Sequence, residues 1–231
     1  MPDQRMNPME AYSGVAYWDD YHRTSVTSDV TRRTGERIWL NCFLPTLEAH
    51  QTRRILDLGC GSGADAVDLA RRGYAMTGID ISAVAVEFAR QAHDEALPIR
   101  FVQHDVAEPL PFDDASYDAV LSNLTLHMFP ATIARAVVAE VSRCLRPGGL
   151  FLFHVNSTED IAPRIAQQPP AVRLGPHFYR LGKGQTMRFF SAQCCRELLS
   201  GWTVRLLEHV VSRRQDGAIQ KCAWRCVAEK P

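Results

Sequence analysis

No apolar run in this chain approaches the ~20 residues that a membrane-crossing helix needs, so no membrane span is expected. The opening stretch, "MPDQRMNPMEAYSG", lacks the apolar segment and small-residue cleavage pattern of a secretory signal, and a cytoplasmic location is the expectation. An excess of charge of either sign is also missing, since 26 Lys and Arg face 26 Asp and Glu. That balance removes the broad basic footprint of a chain that neutralises many phosphates, and nucleic acid is not expected as a partner. The seven cysteines (Cys42, Cys60, Cys144, Cys194, Cys195, Cys222, Cys226) contain no CxxC pair, which argues against a zinc knuckle, and their odd number argues against a disulfide framework. Repeats and low-complexity tracts are absent too. What is present is an ordinary composition, 46% apolar and 23% charged over 231 residues, enough for one domain with a full core.

From Arg53 onward, short apolar runs alternate with helical patterns: "RRILDL" with "ADAVDLARR", "YAMTGI" with "SAVAVEFARQAHDEA", then "IRFVQHD", "YDAVLSN", "ATIARAVVAEVSRCLRPGG" and "LFLFHVN". Strands alternating with helices predict a parallel sheet joined by right-handed crossovers. Ahead of them, "IWLNCFLPTLEAH" reads as a helix interrupted near Pro45, preceded by an aromatic segment with Tyr12, Tyr17, Trp18 and Tyr21. After "HVNS", the stretch "TEDIAPRIAQQPPAVRLGPHFYRLGKGQ" is too rich in Pro and Gly for one regular element and is expected to be a lid or substrate loop. The end offers a short helix, "SAQCCRELLS", and two strands, "WTVRLLEHV" and "KCAWRCVAE", with "DG" between them, an antiparallel hairpin added to the sheet.

The stretch "ILDLGCGSGADAVDLA" puts Gly59, Gly61 and Gly63 at the carboxyl end of a strand, where an open parallel sheet binds its ligand. The spacing is GxGxG, not the GxGxxG that brings a pyrophosphate to a helix start, and Asp57 precedes it. A carboxylate there repels a pyrophosphate and attracts a cation. S-Adenosylmethionine fits, with an ammonium, a sulfonium and no phosphate, and its carboxylate can accept hydrogen bonds from the turn. Asp80 ends the next strand, placed to accept the ribose hydroxyls, and Ser82 beyond it can cap the following helix. Asp105, in "HDV" (His104 to Val106), can accept from the adenine amine.

With these motifs the chain resembles the class I S-adenosylmethionine-dependent methyltransferases, most clearly from Ile55 to Asn156. The resemblance implies a Rossmann-like α/β fold, a seven-stranded mostly parallel sheet of order 3-2-1-4-5-7-6 with helices on both faces and the C-terminal antiparallel hairpin. It also implies a cofactor shell of Asp57, Gly59, Cys60, Gly61, Gly63, Asp80, Ile81, His104, Asp105, Val106, Asn123 and Leu124. "SNLTLHMF" and "RCLRPGGLFLF" look like the fourth and fifth strand motifs of the small-molecule branch. "HVNSTED", "GPHFY", "RFFS" and "GWTVRLLE" are similar to bacterial tellurite-resistance-type methyltransferases. The implied plan is one domain over 1–231, with a helical and aromatic cap (1–50), a cofactor-binding core (51–156), a substrate lid (157–190) and a C-terminal helix and hairpin (191–231).

The activity so implied is methyl transfer by in-line displacement to an O, N or S nucleophile of a small molecule, releasing S-adenosylhomocysteine, in a monomer or homodimer. No set of carboxylates suggests a metal-dependent reaction. His127 is the candidate catalytic residue, either a general base or a packed wall of the site. Tyr21, His154, Asn156, His177 and Tyr179 are candidates for the rest of the substrate pocket. Tyr17 and Trp18 either close over the sulfonium through their ring faces or pack on the core. The adjacent Cys194 and Cys195, and the stripe of Cys222, Trp224 and Cys226, are read as core packing. The competing function is a protein that binds S-adenosylmethionine without transferring its methyl, as a regulatory module or a cyclase. A nicotinamide dehydrogenase is disfavoured by Asp57 and the glycine spacing, and an adenine-amino methyltransferase by the missing N-P-P-Y pattern.

Overall fold

Apart from the edge strand at residues 99–103, the strands between residues 54 and 156 are largely apolar on both faces, and the helices that return the chain from one to the next cover both. The computed structural model describes residues 12–29, 38–92, 95–182, 184–213 and 219–231. Strands β1 (Arg54–Leu58), β2 (Ala75–Asp80), β3 (Ile99–Gln103), β4 (Tyr117–Asn123) and β5 (Leu145–Asn156) run parallel. Three further strands, β6 (Ala171–Gly175), β7 (Phe178–Leu181) and β8 (Gln185–Arg188), form a separate sheet. The hairpin β9 (Thr203–Arg213) and β10 (Ile219–Glu229) joins β5 antiparallel through β10. Among the described residues the large sheet thus has seven strands in the order β3-β2-β1-β4-β5-β10-β9, the order the resemblance implies. The "DG" of the hairpin, residues 216 and 217, lies outside the described residues.

Alternation along the strands sorts the core into two layers. Ile55, Met76, Leu121 and Leu152 face a layer with Leu47 of α3 (Leu44–Ala49), Leu69 of α4 (Ala64–Arg71) and Val86 of α5 (Ala83–Ala92). Leu56, Val120, Phe151 and Phe153 face the other, with Val137 and Val141 of α6 (Ala131–Cys144) and Cys195 of α8 (Ala192–Leu198). Cys195 and Cys226 are buried and pack here, as does Trp224 in part. The break near Pro45 is real: α2 (Ile38–Asn41) stops short of α3, with Pro45 in the first turn of α3. Helix α1 (Val15–Asp29) lies against α5.

The segment expected to be an irregular lid is ordered. It contains α7 (Ile161–Gln167) and the meander β6-β7-β8, closed on a small core of Leu181, Met187 and Phe189 with Ile161 and Ile165 of α7. Its Pro and Gly residues are punctuation: Pro169 and Pro170 precede β6, Pro176 turns β6 into β7, and Gly182 and Gly184 turn β7 into β8. Compositional bias towards turns therefore marked two tight hairpins.

Candidate functional site

Beyond the carboxyl ends of β1 to β5 lies a cavity of about 460 Å³, roofed by α1 and by the lid sheet. At one end β1 delivers the glycine turn. Gly59 and Gly63 have φ of +69° and +77°, a region that favours glycine, and a Cβ would collide with the Thr125 side chain at Gly59 and meet Phe101 at 2.5 Å at Gly63. The turn's N–H groups are largely spent inside the protein: Gly59 and Cys60 both donate to Ile79 O (2.8 and 2.9 Å), and Gly61 donates to Asp80 Oδ2 (2.9 Å). The expected donation from the turn to a cofactor carboxylate is therefore not available at these three groups, and what the turn offers is close backbone approach.

Asp80 is 7% exposed and lines the cavity; its Oδ1 accepts from Ser82 N (2.9 Å). Burial raises its pKa, opposed by these two backbone N–H bonds and by His22. Ser82 caps α5 by accepting from Ala85 N (3.1 Å), and its hydroxyl donates to Asp19 on α1 (2.6 Å), which docks α1 over this end. Trp18, Tyr21 and His22 of α1 line the cavity, with Tyr21 packed on Trp18 at 5.5 Å. Asp105 also lines it, held by Ala107 N (2.9 Å) and by the Tyr12 hydroxyl (2.7 Å), whose ring stands edge-on to Phe129 at 5.0 Å.

Asn123 ends β4 at the middle of the cavity. Its amide donates to Asp65 (3.2 Å), which also accepts from Trp39 Nε1 (3.0 Å), and its Oδ1 lies 3.3 Å from His154 Nδ1. The next residue, Leu124, has φ of +59°, a costly conformation for leucine, and lines the cavity. At the far end stand His127, Asn156, Met187, Arg164 and Lys221. His127 is 2% exposed with Nδ1 unpartnered. Burial, then Lys221, His154 and Arg164, holds its imidazole well below the usual range, so it is neutral at pH 7.

Of the candidates named from sequence, the cavity gathers Gly59, Gly61, Asp80, Ile81, Asp105, Val106, Asn123, Leu124, Trp18, Tyr21, His127 and Asn156. The others lie elsewhere. Asp57 is buried behind the turn, and Gly63 starts α4. Cys60 is a half-buried thiol outside the cavity lining, its pKa raised well above the ordinary value by burial and by Asp57. His104 and Tyr17 do not line the cavity; Tyr17 packs edge-on to Trp18 at 5.0 Å. His154 sits two residues back along β5, covered by Trp39 stacked at 6.3 Å, and burial pushes its pKa down to about 3. His177 is exposed in the β6-β7 turn, and Tyr179 packs on Phe189 in the lid core.

Tyr12, Ser13, Thr125, Met128, Gln185, Arg164 and Lys221 line the cavity without having been singled out as site residues from sequence. Ser13 and Thr186 clamp the N-terminal segment to the lid by reciprocal bonds: Ser13 N donates to Thr186 Oγ1 (3.1 Å) and Thr186 N to Ser13 Oγ (2.8 Å). No local signal marks these pairs, which are 173 residues apart. One group of possible metal ligands occurs among the described residues: Glu159, His209 and Cys222, with donor atoms within 4.8 Å of one another, outside the cavity lining.

The profile of a family described as "Methyltransferase domain" matches residues 55–149. A fatty-acid O-methyltransferase of Mycolicibacterium smegmatis is 42% identical over 103 residues, covering 44% of this chain and 36% of the relative. A demethylmenaquinone methyltransferase of Beutenbergia cavernae is 32% identical over 145 residues, covering 63% and 58%. The chain thus spans less than two thirds of the length of either relative. The crystal structure of Burkholderia thailandensis 1,6-didemethyltoxoflavin-N1-methyltransferase, which holds 1,6-didemethyltoxoflavin and S-adenosylhomocysteine, superposes with a TM-score of 0.68 at 22% identity, over 100% of this chain and 93% of that one. Residues 55–149 are thus similar to the methyltransferase-domain family, and the chain shares the Rossmann-like α/β fold of the Burkholderia enzyme.

Proposed function

We propose that this chain is an S-adenosylmethionine-dependent methyltransferase that acts by in-line displacement on an O, N or S nucleophile of a small molecule and releases S-adenosylhomocysteine. The observation that carries this is one cavity joining an acid-lined end, at β1 to β3, to a second, differently furnished end at β4, β5 and β10. The first end suits the cofactor. Asp80 and Asp105 line it, the nearest atom to a Cβ built at Gly61 is 3.4 Å away, and the aromatic rings of Trp18 and Tyr21, a residue class suited to a cation, line it too. Bound there, the cofactor supplies an electrophilic methyl carbon on a sulfonium.

The chain's own part is to align the acceptor and exclude water, which can supply much of the acceleration. His127, neutral and weakly basic, orients the acceptor by hydrogen bonding and is a poor proton acceptor. The competing function is a protein that binds the cofactor without transfer, as a regulatory module or a cyclase; the second end, with Asn156, Arg164, Met187 and Lys221 around it, weighs against the regulatory module, which needs no second ligand. The acceptors in the relatives' names, and the molecule held by the Burkholderia enzyme, support a small molecule. On this basis the protein works in the cytoplasm as a monomer or homodimer, and its balanced charge supports a small molecule over nucleic acid.

Calorimetric titration of the full chain with S-adenosylhomocysteine tests this. Binding that is lost on Asp80→Asn supports it. A folded protein that binds neither S-adenosylhomocysteine nor S-adenosylmethionine overturns it.

A further inference from the structure

The far end of the cavity carries more positive charge than the protein itself neutralises. Arg164, on α7, and Lys221, on β10, both line it. The buried carboxylate beside them is Asp160, 1% exposed, whose Oδ2 accepts from Arg164 Nε (3.2 Å) and Nη2 (2.9 Å) and whose Oδ1 accepts from Cys222 N (3.2 Å). Glu159 is turned outward, 66% exposed, towards His209 at 3.8 Å. The Lys221 ammonium makes no hydrogen bond or ion pair among the described residues, and the two nearby imidazoles, His127 and His154, are held neutral by burial. Two cations against one buried carboxylate leave one positive charge over.

An ammonium partly withdrawn from water and bonded to no carboxylate is costly, and the cost shows in Lys221. Burial, then Arg164, pushes its pKa down to about 8, against the pull of Asp160. A single surplus charge matches a monoanion better than a phosphate dianion. Asn156 adds an amide donor whose present contact is only the weakly accepting sulfur of Met187 (3.0 Å). Around these polar groups the walls are apolar: Met187, Met128, Phe129 and Leu124. Methionines adapt to varied shapes, so they suit an apolar body of no fixed outline.

We infer that this end is a carboxylate subsite: Lys221 and Arg164, with the Asn156 amide, hold the carboxylate of an apolar small molecule that enters as the acceptor substrate. The inference rests on the methyltransferase function proposed above, and the test separates the two. The full chain, saturated with S-adenosylhomocysteine, is titrated calorimetrically with octanoate and with phenylacetate, each against its neutral amide, octanamide and phenylacetamide. At least one acid is expected to bind tenfold or more tighter than its amide. Lys221→Met is expected to erase that preference and Lys221→Arg to keep most of it, with S-adenosylhomocysteine affinity within twofold in both. Acids and amides that bind alike, or a preference that survives Lys221→Met, overturn the subsite. Failure of the wild type to bind S-adenosylhomocysteine overturns the methyltransferase function instead, and the acids titrated without it still read the subsite alone.

Discussion

The two ends of the cavity carry opposite charge and are assembled in opposite ways. At the β1 to β3 end, Asp80 and Asp105 each sit at or just beyond the carboxyl end of their own strand, and backbone N–H groups within two residues hold one oxygen of each. At the β5 and β10 end, the cations come from a helix of the lid and from the second strand of the C-terminal hairpin, brought together only because β10 pairs with β5. From β2 to β10 there are four strand spacings, roughly 19 Å. The difference teaches that a site for a cation can be written into strand ends, whereas the complementary site for an anion is a product of topology.

Each end should fail independently of the other. Asp80→Asn should have the largest effect, because it replaces a buried charge that accepts two backbone N–H bonds and lines the end of the cavity proposed for the cofactor. Affinity for S-adenosylhomocysteine should fall by about a hundredfold or more in calorimetry, while the preference for acid over amide persists. Next in size is turnover in His127→Ala, expected to drop about tenfold with S-adenosylhomocysteine affinity within twofold. Unchanged turnover would remove His127 from the chemistry. Because its imidazole is already neutral, the rate between pH 6 and 8 should show no step in the ordinary histidine range.

The anion end has its own pH signature. The charged and titratable groups facing Lys221 are Arg164, Asp160, His127 and His154, and the two imidazoles are neutral there. Lys221 is depressed to about 8, so binding of octanoate over octanamide should be full below that pH and weaken several-fold as pH rises through it. A preference that is flat from pH 7 to 9.5 would place the anion elsewhere. The smallest effect is expected from Tyr12→Phe, which removes one donor to Asp105 and should weaken S-adenosylhomocysteine binding by a few-fold, about 1 kcal/mol.

Legibility follows the same division. Asp80, Asp105, the glycine turn and the Ser82 cap could be read from the chain because each is a short-range feature of a strand end or helix start. Strand order was legible through the resemblance and the alternation of strand and helix. His154 and Asn156 illustrate the limit: both point to the same side of β5, yet only Asn156 reaches the cavity, since Trp39, from before β1, lies over His154. The lid sheet was missed because Pro and Gly serve a tight hairpin and an irregular loop equally well.

By itself the sequence determined the parallel sheet, the glycine turn and the acids at the strand ends that line the cavity, since these depend on periodicity and on bonds spanning a few residues. Only the tertiary structure decided which aromatic and basic side chains share the cavity. Tyr12 meets Asp105 across 93 residues, and Arg164 and Lys221 meet where the hairpin closes on β5. Contacts of that kind arise from how distant segments pack, and no local pattern along the chain encodes them.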